Sequence, residues 1–287
     1  MAVLITGSSG KTSGRLARLM EKANIPYLLA SRRGPEAVPQ GMPAIRFDWS
    51  DESTFKNPFE YKFPGDAKIS SVYLVAPAIP DPAPLMNAFI DYAVKDHGVK
   101  RFVLIGGSTN TLGGPYIGKV WQHLVDQKLG YAVLRPTWFM ENFSEGAHIH
   151  TIKGESKIYS ACGDGKIPFV SAEDIAAVAF HALMDEKPHN TDHSIVGRDL
   201  LSFDEVAAKI GTAIGKEVEH VKLTSEERTK QLQGFGLPEY LAQFLTWLEV
   251  KTAEGHENFL NEVVKEVTGR APVGFDDFVA QNKAAWQ

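Results

Sequence analysis

The sequence predicts an α/β fold, a doubly wound parallel sheet followed by a smaller, helix-rich lobe. Two patterns carry that expectation. Short β-rich runs alternate with helical stretches through the first half of the chain, the rhythm of βαβ units. Several of these runs, such as Val3-Leu4-Ile5 and Phe102-Val103-Leu104-Ile105, are almost wholly apolar, as strands become when helices cover both faces of a sheet.

Taken in order, strands are expected at Ala2–Thr6, Tyr27–Ser31, Ala44–Phe47, Val72–Ala76, Phe102–Ile105 and Ala132–Leu134. Helices are expected between them at Thr12–Ala23, Ala83–Asp96 and Ile117–Gln127. After Arg135 the rhythm changes: Pro136 breaks the strand, a helix follows at Glu173–Met184, and a short strand at His193–Val196. Ser202-Phe203-Asp204-Glu205 and Thr224-Ser225-Glu226-Glu227 read as capping boxes that open helices. From Leu201 onward the chain is expected to be mostly helical, with Phe235, Phe244, Trp247 and Leu248 packing the lobe onto the sheet. The expected division is residues 1–150 for the sheet domain and 151–287 for the lobe, with a few short strands of the lobe contributing to or packing on the sheet.

At 287 residues and 44% hydrophobic composition the chain can bury a sizeable core. Its formal charge of -5 speaks against a nucleic-acid partner, which wants a basic field. Cys162 is the only cysteine, which excludes an intrachain disulfide and a cysteine-rich metal site. The opening MAVLITGSSG lacks a basic n-region and reads as a buried strand, not a signal peptide. No run approaches the ~18 apolar residues of a membrane span. A cytoplasmic location with no membrane partner is therefore expected. The histidine pairs His148/His150 and His189/His193 lack carboxylates in a metal-binding pattern, and no metal is expected.

The strongest local signal is Val3-Leu4-Ile5-Thr6-Gly7-Ser8-Ser9-Gly10-Lys11-Thr12-Ser13-Gly14, a glycine-rich turn between a strand and a helix. A dinucleotide pyrophosphate needs that geometry, with backbone N–H groups open at a positive helix end. Thr6, Gly7, Ser9, Gly10, Lys11 and Thr12 are the expected contacts, and Ser13 stands where a third glycine is usual. A triphosphate P-loop is rejected because Ile5 occupies the position of its first glycine. The second strand ends Ser31-Arg32-Arg33 with no carboxylate. Ser31 and Arg32 thus suit a 2′-phosphate, and NADP(H) is the expected cofactor of a Rossmann-like domain. Asp48 is a candidate for the adenine amino group. Ala76, Pro77, Pro136 and Trp138, at the ends of strands four and six, are expected to flank the cofactor.

Short-chain reductases of this topology pair a serine with Tyr-x-x-x-Lys after strand five, the tyrosine protonating the nascent alkoxide. Ser108 is available here, but four residues before Lys119 stands Pro115, and Tyr116 is offset by one. The usual acid is missing. Hydride addition to an iminium cation needs none when the nitrogen is already fully substituted. Such a substrate favours carboxylates and aromatic faces, and Trp138, Phe139, Glu141 and Asn142 offer them just after strand six. Glu141, Tyr116 and Ser108 are the catalytic candidates.

Together Thr6-Gly7-Ser8-Ser9-Gly10, Ala30-Ser31-Arg32, Leu134-Arg135-Pro136-Thr137-Trp138-Phe139-Met140-Glu141-Asn142, Gly163-Asp164-Gly165-Lys166-Ile167-Pro168-Phe169-Val170, Asp174-Ile175-Ala176 and Phe275-Asp276-Asp277-Phe278 run the length of the chain. In that order and spacing they resemble the NmrA-like, atypical short-chain dehydrogenase/reductase family. Phe47-Asp48-Trp49 and Lys157-Ile158-Tyr159-Ser160-Ala161 are similar to its fungal festuclavine/agroclavine dehydrogenase group. The resemblance implies an NAD(P)H-linked reductase acting on an iminium in indole alkaloid biosynthesis, with a small-molecule substrate and a monomeric or homodimeric state. Asp164 joins Trp138, Phe139 and Asn142 as a substrate-pocket candidate. Four prolines in eight residues, Pro77 to Pro84, stiffen the end of strand four and set this chain's pocket apart. Two alternatives stay open: imine-directed cyclisation, which requires Glu141, Tyr116 or Asp164 as acid/base, and a non-catalytic redox sensor.

Overall fold

A computed structural model describes residues 1–146 and 148–287. In chain order its strands are β1 (Ala2–Thr6), β2 (Tyr27–Ser31), β3 (Ala44–Arg46), β4 (Ile69–Val75), β5 (Arg101–Ile105), β6 (Gly130–Pro136), β7 (Lys157–Ser160), β8 (Ile167–Pro168), β9 (Thr191–Ile195), β10 (Leu200–Leu201) and β11 (Glu219–Lys222). The chain divides into two units, Met1–Pro136 with Ala172–Ile195, and Thr137–Ser171 with Val196–Gln287.

The first unit is a seven-stranded sheet in the order β3-β2-β1-β4-β5-β6-β9, parallel at every pairing. Strand side chains alternate between faces. Leu4, Leu28, Val72, Leu74, Phe102 and Leu104 pack against Met86, Phe89 and Ile90 of helix Ala83–His97 and Val120 and Leu124 of helix Ile117–Asp126. Val3, Ile5, Leu29, Tyr73 and Val103 point the other way and are equally buried. Helices Lys11–Lys22 and Ala172–Met184 pack on one another, tied by Arg15 Nε to Glu173 Oε1 at 2.9 Å. The doubly wound fold is as the sequence predicts.

The expected division at residue 150 needs correcting. The first unit ends at Pro136 and then regains residues 172–195. β9 pairs with β6 from Ala132↔Thr191 to Pro136↔Ile195, and without it β6 would be an open edge. A strand from the expected lobe does join the sheet, from beyond a 35-residue excursion, residues 137–171, which a single linear boundary cannot express. Pro136, expected to break the strand, is its last paired residue.

The second unit carries two small ladders, β7 with β11 in parallel and β8 with β10 antiparallel. Its core gathers Met140, Phe143, Ile152, Phe169, Phe203, Ile210, Phe275 and Trp286. Both capping boxes form: Ser202 with Glu205 opens helix Phe203–Ile214, and Thr224 with Glu227 opens helix Ser225–Gly234. Helix Glu239–Ala253 reverses the expectation for its aromatic residues. Phe244 and Trp247 are 44% and 46% exposed, and Phe235 is exposed beside them. Ala242, Thr246, Glu249 and Thr252 form the buried stripe instead. That stripe is polar because it carries an internal ion pair, Arg228 Nη2 to Glu249 Oε1 at 2.8 Å. No helix among the described residues is long and apolar enough to cross a membrane.

Candidate active site

The glycine loop sits at the carboxyl end of β1. Gly7 takes φ +66°, and a Cβ there would come within 2.8 Å of Val75 Cβ, so the turn admits glycine alone. Gly10 N–H donates to Gly7 O at 2.8 Å, closing the turn just before helix Lys11–Lys22. No side chain caps that helix and no acidic residue stands in its first turn. Its leading N–H groups and positive dipole end are therefore disposed toward an anion. Ser13, in the place of the third glycine, is buried and donates from Oγ to Thr6 O at 3.0 Å. A small hydroxyl there ties helix to strand.

The threonines serve the fold with their side chains. Thr6 Oγ1 donates to Tyr73 O at 3.0 Å and accepts from Val75 N at 2.8 Å, clamping β1 to β4. Thr12 Oγ1 accepts from the Tyr73 hydroxyl at 2.9 Å, and burial pushes that phenol well above its usual pKa. Both side chains thus bond to β4, and the contact expected of these residues is one that the backbone of the loop would make. Two other hydroxyls behave oppositely. Ser8 Oγ and Ser31 Oγ are buried with no hydrogen-bond partner among the described residues, a state that costs free energy unless a ligand completes it. Ser31 is among the residues the sequence points to; Ser8 is not, although its place between Gly7 and Gly10 is a signal for it.

Arg32 projects into solvent beyond Ser31, and Ser9 is exposed on the loop. Asp48 Oδ1 accepts from Ser50 Oγ at 2.7 Å and from Ser50 N at 3.0 Å. Those two bonds, the hydroxyl first, hold its carboxyl below the usual value, with Arg32 and Arg46 adding to the effect. These residues fit a dinucleotide: a diphosphate on the loop N–H groups and Ser8, with Ser31 and Arg32 beyond. Lys11 opens the helix and is half-buried.

Farther along the same edge lies the proline-rich stretch. Ala76 and Pro77 are half-buried. Tyr116 donates its hydroxyl to Pro77 O at 3.2 Å. Its backbone, at φ +60° and ψ -123°, lies where a side-chain-bearing residue is strained. Lys119 Nζ pairs with Asp81 Oδ2 at 2.9 Å. Both contacts strap the proline stretch to helix Ile117–Asp126. Ser108 is held by its backbone, N–H to Pro136 O at 2.9 Å and O from Arg135 Nη2 at 2.9 Å.

In the second unit Trp138 and Phe139 run beside Val170, with Val170 N to Trp138 O at 3.0 Å and Met140 N to Val170 O at 2.9 Å. Both aromatic side chains are half-buried, and Trp138 Nε1 donates to Thr252 Oγ1 at 3.2 Å. Glu141 is only 2% exposed, and its Oε1 accepts from Ser171 Oγ at 3.1 Å. Asn142 is half-buried after it. Asp164 stands apart. Its side chain is 86% exposed and paired with Lys222 Nζ at 2.6 Å, which corrects its expected place in a pocket wall. Gly163, at φ +53°, turns the chain outward there.

The NmrA-like family model matches residues 88–271. The chain belongs to the NmrA-like family. It is 43% identical over 290 residues to agroclavine dehydrogenase of Claviceps fusiformis, spanning 100% of this chain and 99% of that one. Festuclavine dehydrogenase of Aspergillus fumigatus is 41% identical over 293 residues, with the same coverage. Among solved structures, triphenylmethane reductase of Citrobacter sp. complexed with NADP(H) superposes with a TM-score of 0.77 at 19% identity, covering 98% of this chain and 99% of that one. That likeness is one of fold, the Rossmann-like sheet with its flanking helices.

Proposed function

We propose that this chain is an NADPH-dependent reductase acting on an imine or iminium carbon of an indole alkaloid precursor. The observation that carries the reading is the fate of the usual proton donor. Pro115 takes the place of the catalytic tyrosine, Tyr116 spends its proton on Pro77 O, and Lys119 is turned to Asp81. No tyrosine–lysine pair is assembled to protonate an alkoxide, whereas a substituted iminium becomes a neutral amine on hydride addition alone. The relatives' names, agroclavine and festuclavine dehydrogenases, support the coarser part of this reading, a reductase of an alkaloid pathway.

The loop N–H groups and the Ser8 hydroxyl hold the diphosphate, and Ser31 with Arg32 takes the 2′-phosphate. NADPH, when bound, supplies a hydride from its nicotinamide. The strapped proline stretch gives the cofactor edge a rigid wall, and Trp138 and Phe139 present π faces suited to a cation. Cyclisation by acid/base catalysis fits less well, because Glu141 is buried against Ser171 and Asp164 is paired with Lys222 at the surface.

Turnover of a small panel of indole iminium ions with NADPH deuterated at C4, read by mass spectrometry, tests the reading. Deuterium in the amine product is the expected result. A cyclised product without deuterium overturns reduction, and tight NADPH binding with no transfer across the panel supports a sensor instead.

A further inference from the structure

Helix Glu239–Ala253 is built inside out, with aromatic residues toward solvent and Thr246, Glu249 and Thr252 buried. A helix needed only for packing would bury its aromatics. This one commits its buried face to directional contacts. Arg228 grips Glu249 through Nε and Nη2 at 2.8–3.0 Å. Glu249 Oε2 also accepts from Ala161 N at 2.7 Å. Thr246 Oγ1 and Thr229 Oγ1 are hydrogen-bonded to each other at 3.0 Å. The backbone at Thr252 is set against Gly165, where a Cβ would come within 2.3 Å of Thr252 O. The end of the helix therefore has no room to shift relative to residues 161–165.

Thr252 is wholly buried. Its hydroxyl donates to Leu248 O at 3.1 Å, which leaves the oxygen lone pairs to receive Trp138 Nε1–H at 3.2 Å. An indole nitrogen is a donor only, so this contact sets which way the half-buried ring turns. We propose that Thr252 is a positioning residue that fixes the indole of Trp138 as a substrate wall. The inference rests on the reductase reading, which makes Trp138 a face for a cationic indole. An aromatic face serves a cation only when its plane is held. The Arg228–Glu249 pair and the Gly165 contact supply the rigidity, and Thr252 transmits it.

The test uses Thr252→Val, which keeps the shape and removes the acceptor, and Thr252→Ser, which restores it. The probe is 2-methyl-3,4-dihydro-β-carbolinium, with NADPH oxidation followed by absorbance. Thr252→Val should raise KM for the probe about fivefold, the scale of one lost hydrogen bond, with a smaller change in kcat and none in KM for NADPH. Thr252→Ser should return KM to near the wild-type value. The near-UV circular dichroism assigned to Trp138, by difference from Trp138→Phe, should change in Thr252→Val and recover in Thr252→Ser. In a Trp138→Phe background, Thr252→Val should have no further effect on KM. An unchanged KM in Thr252→Val, or an equal KM rise in the Trp138→Phe background, overturns the positioning role. If the wild type leaves the probe untouched, the reductase reading is what fails, and an unchanged Trp138 signal in Thr252→Val then overturns positioning separately. Should Thr252→Val not fold, Thr252→Cys, a poor acceptor of similar size, takes its place with the same outcomes.

Discussion

Ser8 and Ser31 hold buried hydroxyls that no other described residue satisfies, while the threonines on either side of the loop bond to β4. Removing an unsatisfied hydroxyl removes little from the fold, so Ser8→Ala and Ser31→Ala should each shift Tm by less than about 2 °C. Each should weaken NADPH binding about three- to tenfold if the ligand supplies the missing partner, measurable by calorimetry. Equal affinity in both variants would remove these serines from the site. Tyr116 calls for a different outcome. Its hydroxyl ties down Pro77, and on the proposed iminium chemistry no acid is required, so Tyr116→Phe should lower kcat by no more than about fivefold. The pH–rate profile should keep its shape. A loss of about a hundredfold or more, on the scale of general acid catalysis, would restore tyrosine as the acid.

The inverted helix Glu239–Ala253 depends on one buried ion pair, with Arg228 and Glu249 side chains 6% and 3% exposed. Removing one partner leaves the other charge buried without compensation, which destabilises by about 3–5 kcal/mol. Arg228→Met should therefore lower Tm strongly, and adding Glu249→Leu should recover part of the loss, since two apolar groups can replace a buried pair. Differential scanning calorimetry of the single and double variants checks this. If the single variant matches wild type, the pair is not what seats the helix. The polar stripe also explains why sequence alone assigns its aromatics to the wrong face. Phe244 and Trp247 have helical spacing that suits a core face, but the choice between that face and the one bearing Glu249 depends on Arg228, which lies on another helix.

At the scale of the whole chain, two histidines are held neutral by the fold at mildly acidic pH, where water would protonate them. His193 is pushed down to about 4, by burial first and by the neighbouring His189 second. His220 is also lowered, chiefly by burial, as it sits between Ser160 Oγ at 2.8 Å and Asp204 Oδ1 at 2.9 Å. An unfolded histidine takes up its proton near pH ~6.5, whereas these remain neutral in the fold. Their stabilisation is complete above about pH 6.5 and is lost as pH falls toward the folded values. At pH 5 the His193 share should amount to about 1–2 kcal/mol after allowance for solvent screening. Tm should accordingly fall between pH 7.5 and pH 5, and less steeply in His193→Gln. A Tm that holds level across that interval would contradict the burial of both rings.

The strands, the glycine loop and both capping boxes were legible in the sequence because each is decided by residues within a turn or two of one another. Alternation places Leu4 and Ile5 on opposite faces, and Ser202 needs only Glu205 three residues on to open its helix. The serine–arginine end of β2 and the proline at the position of the usual acid were readable for the same reason. What the tertiary structure decided lies in pairs far apart along the chain. β9 returns to complete the sheet that β6 would otherwise leave open, Lys119 turns to Asp81, and Glu141 is buried against Ser171. Trp138 meets Thr252 across 114 positions. Side-chain type alone does not choose such partners. They are selected when packing removes water from polar groups and only one arrangement leaves each of them a hydrogen bond.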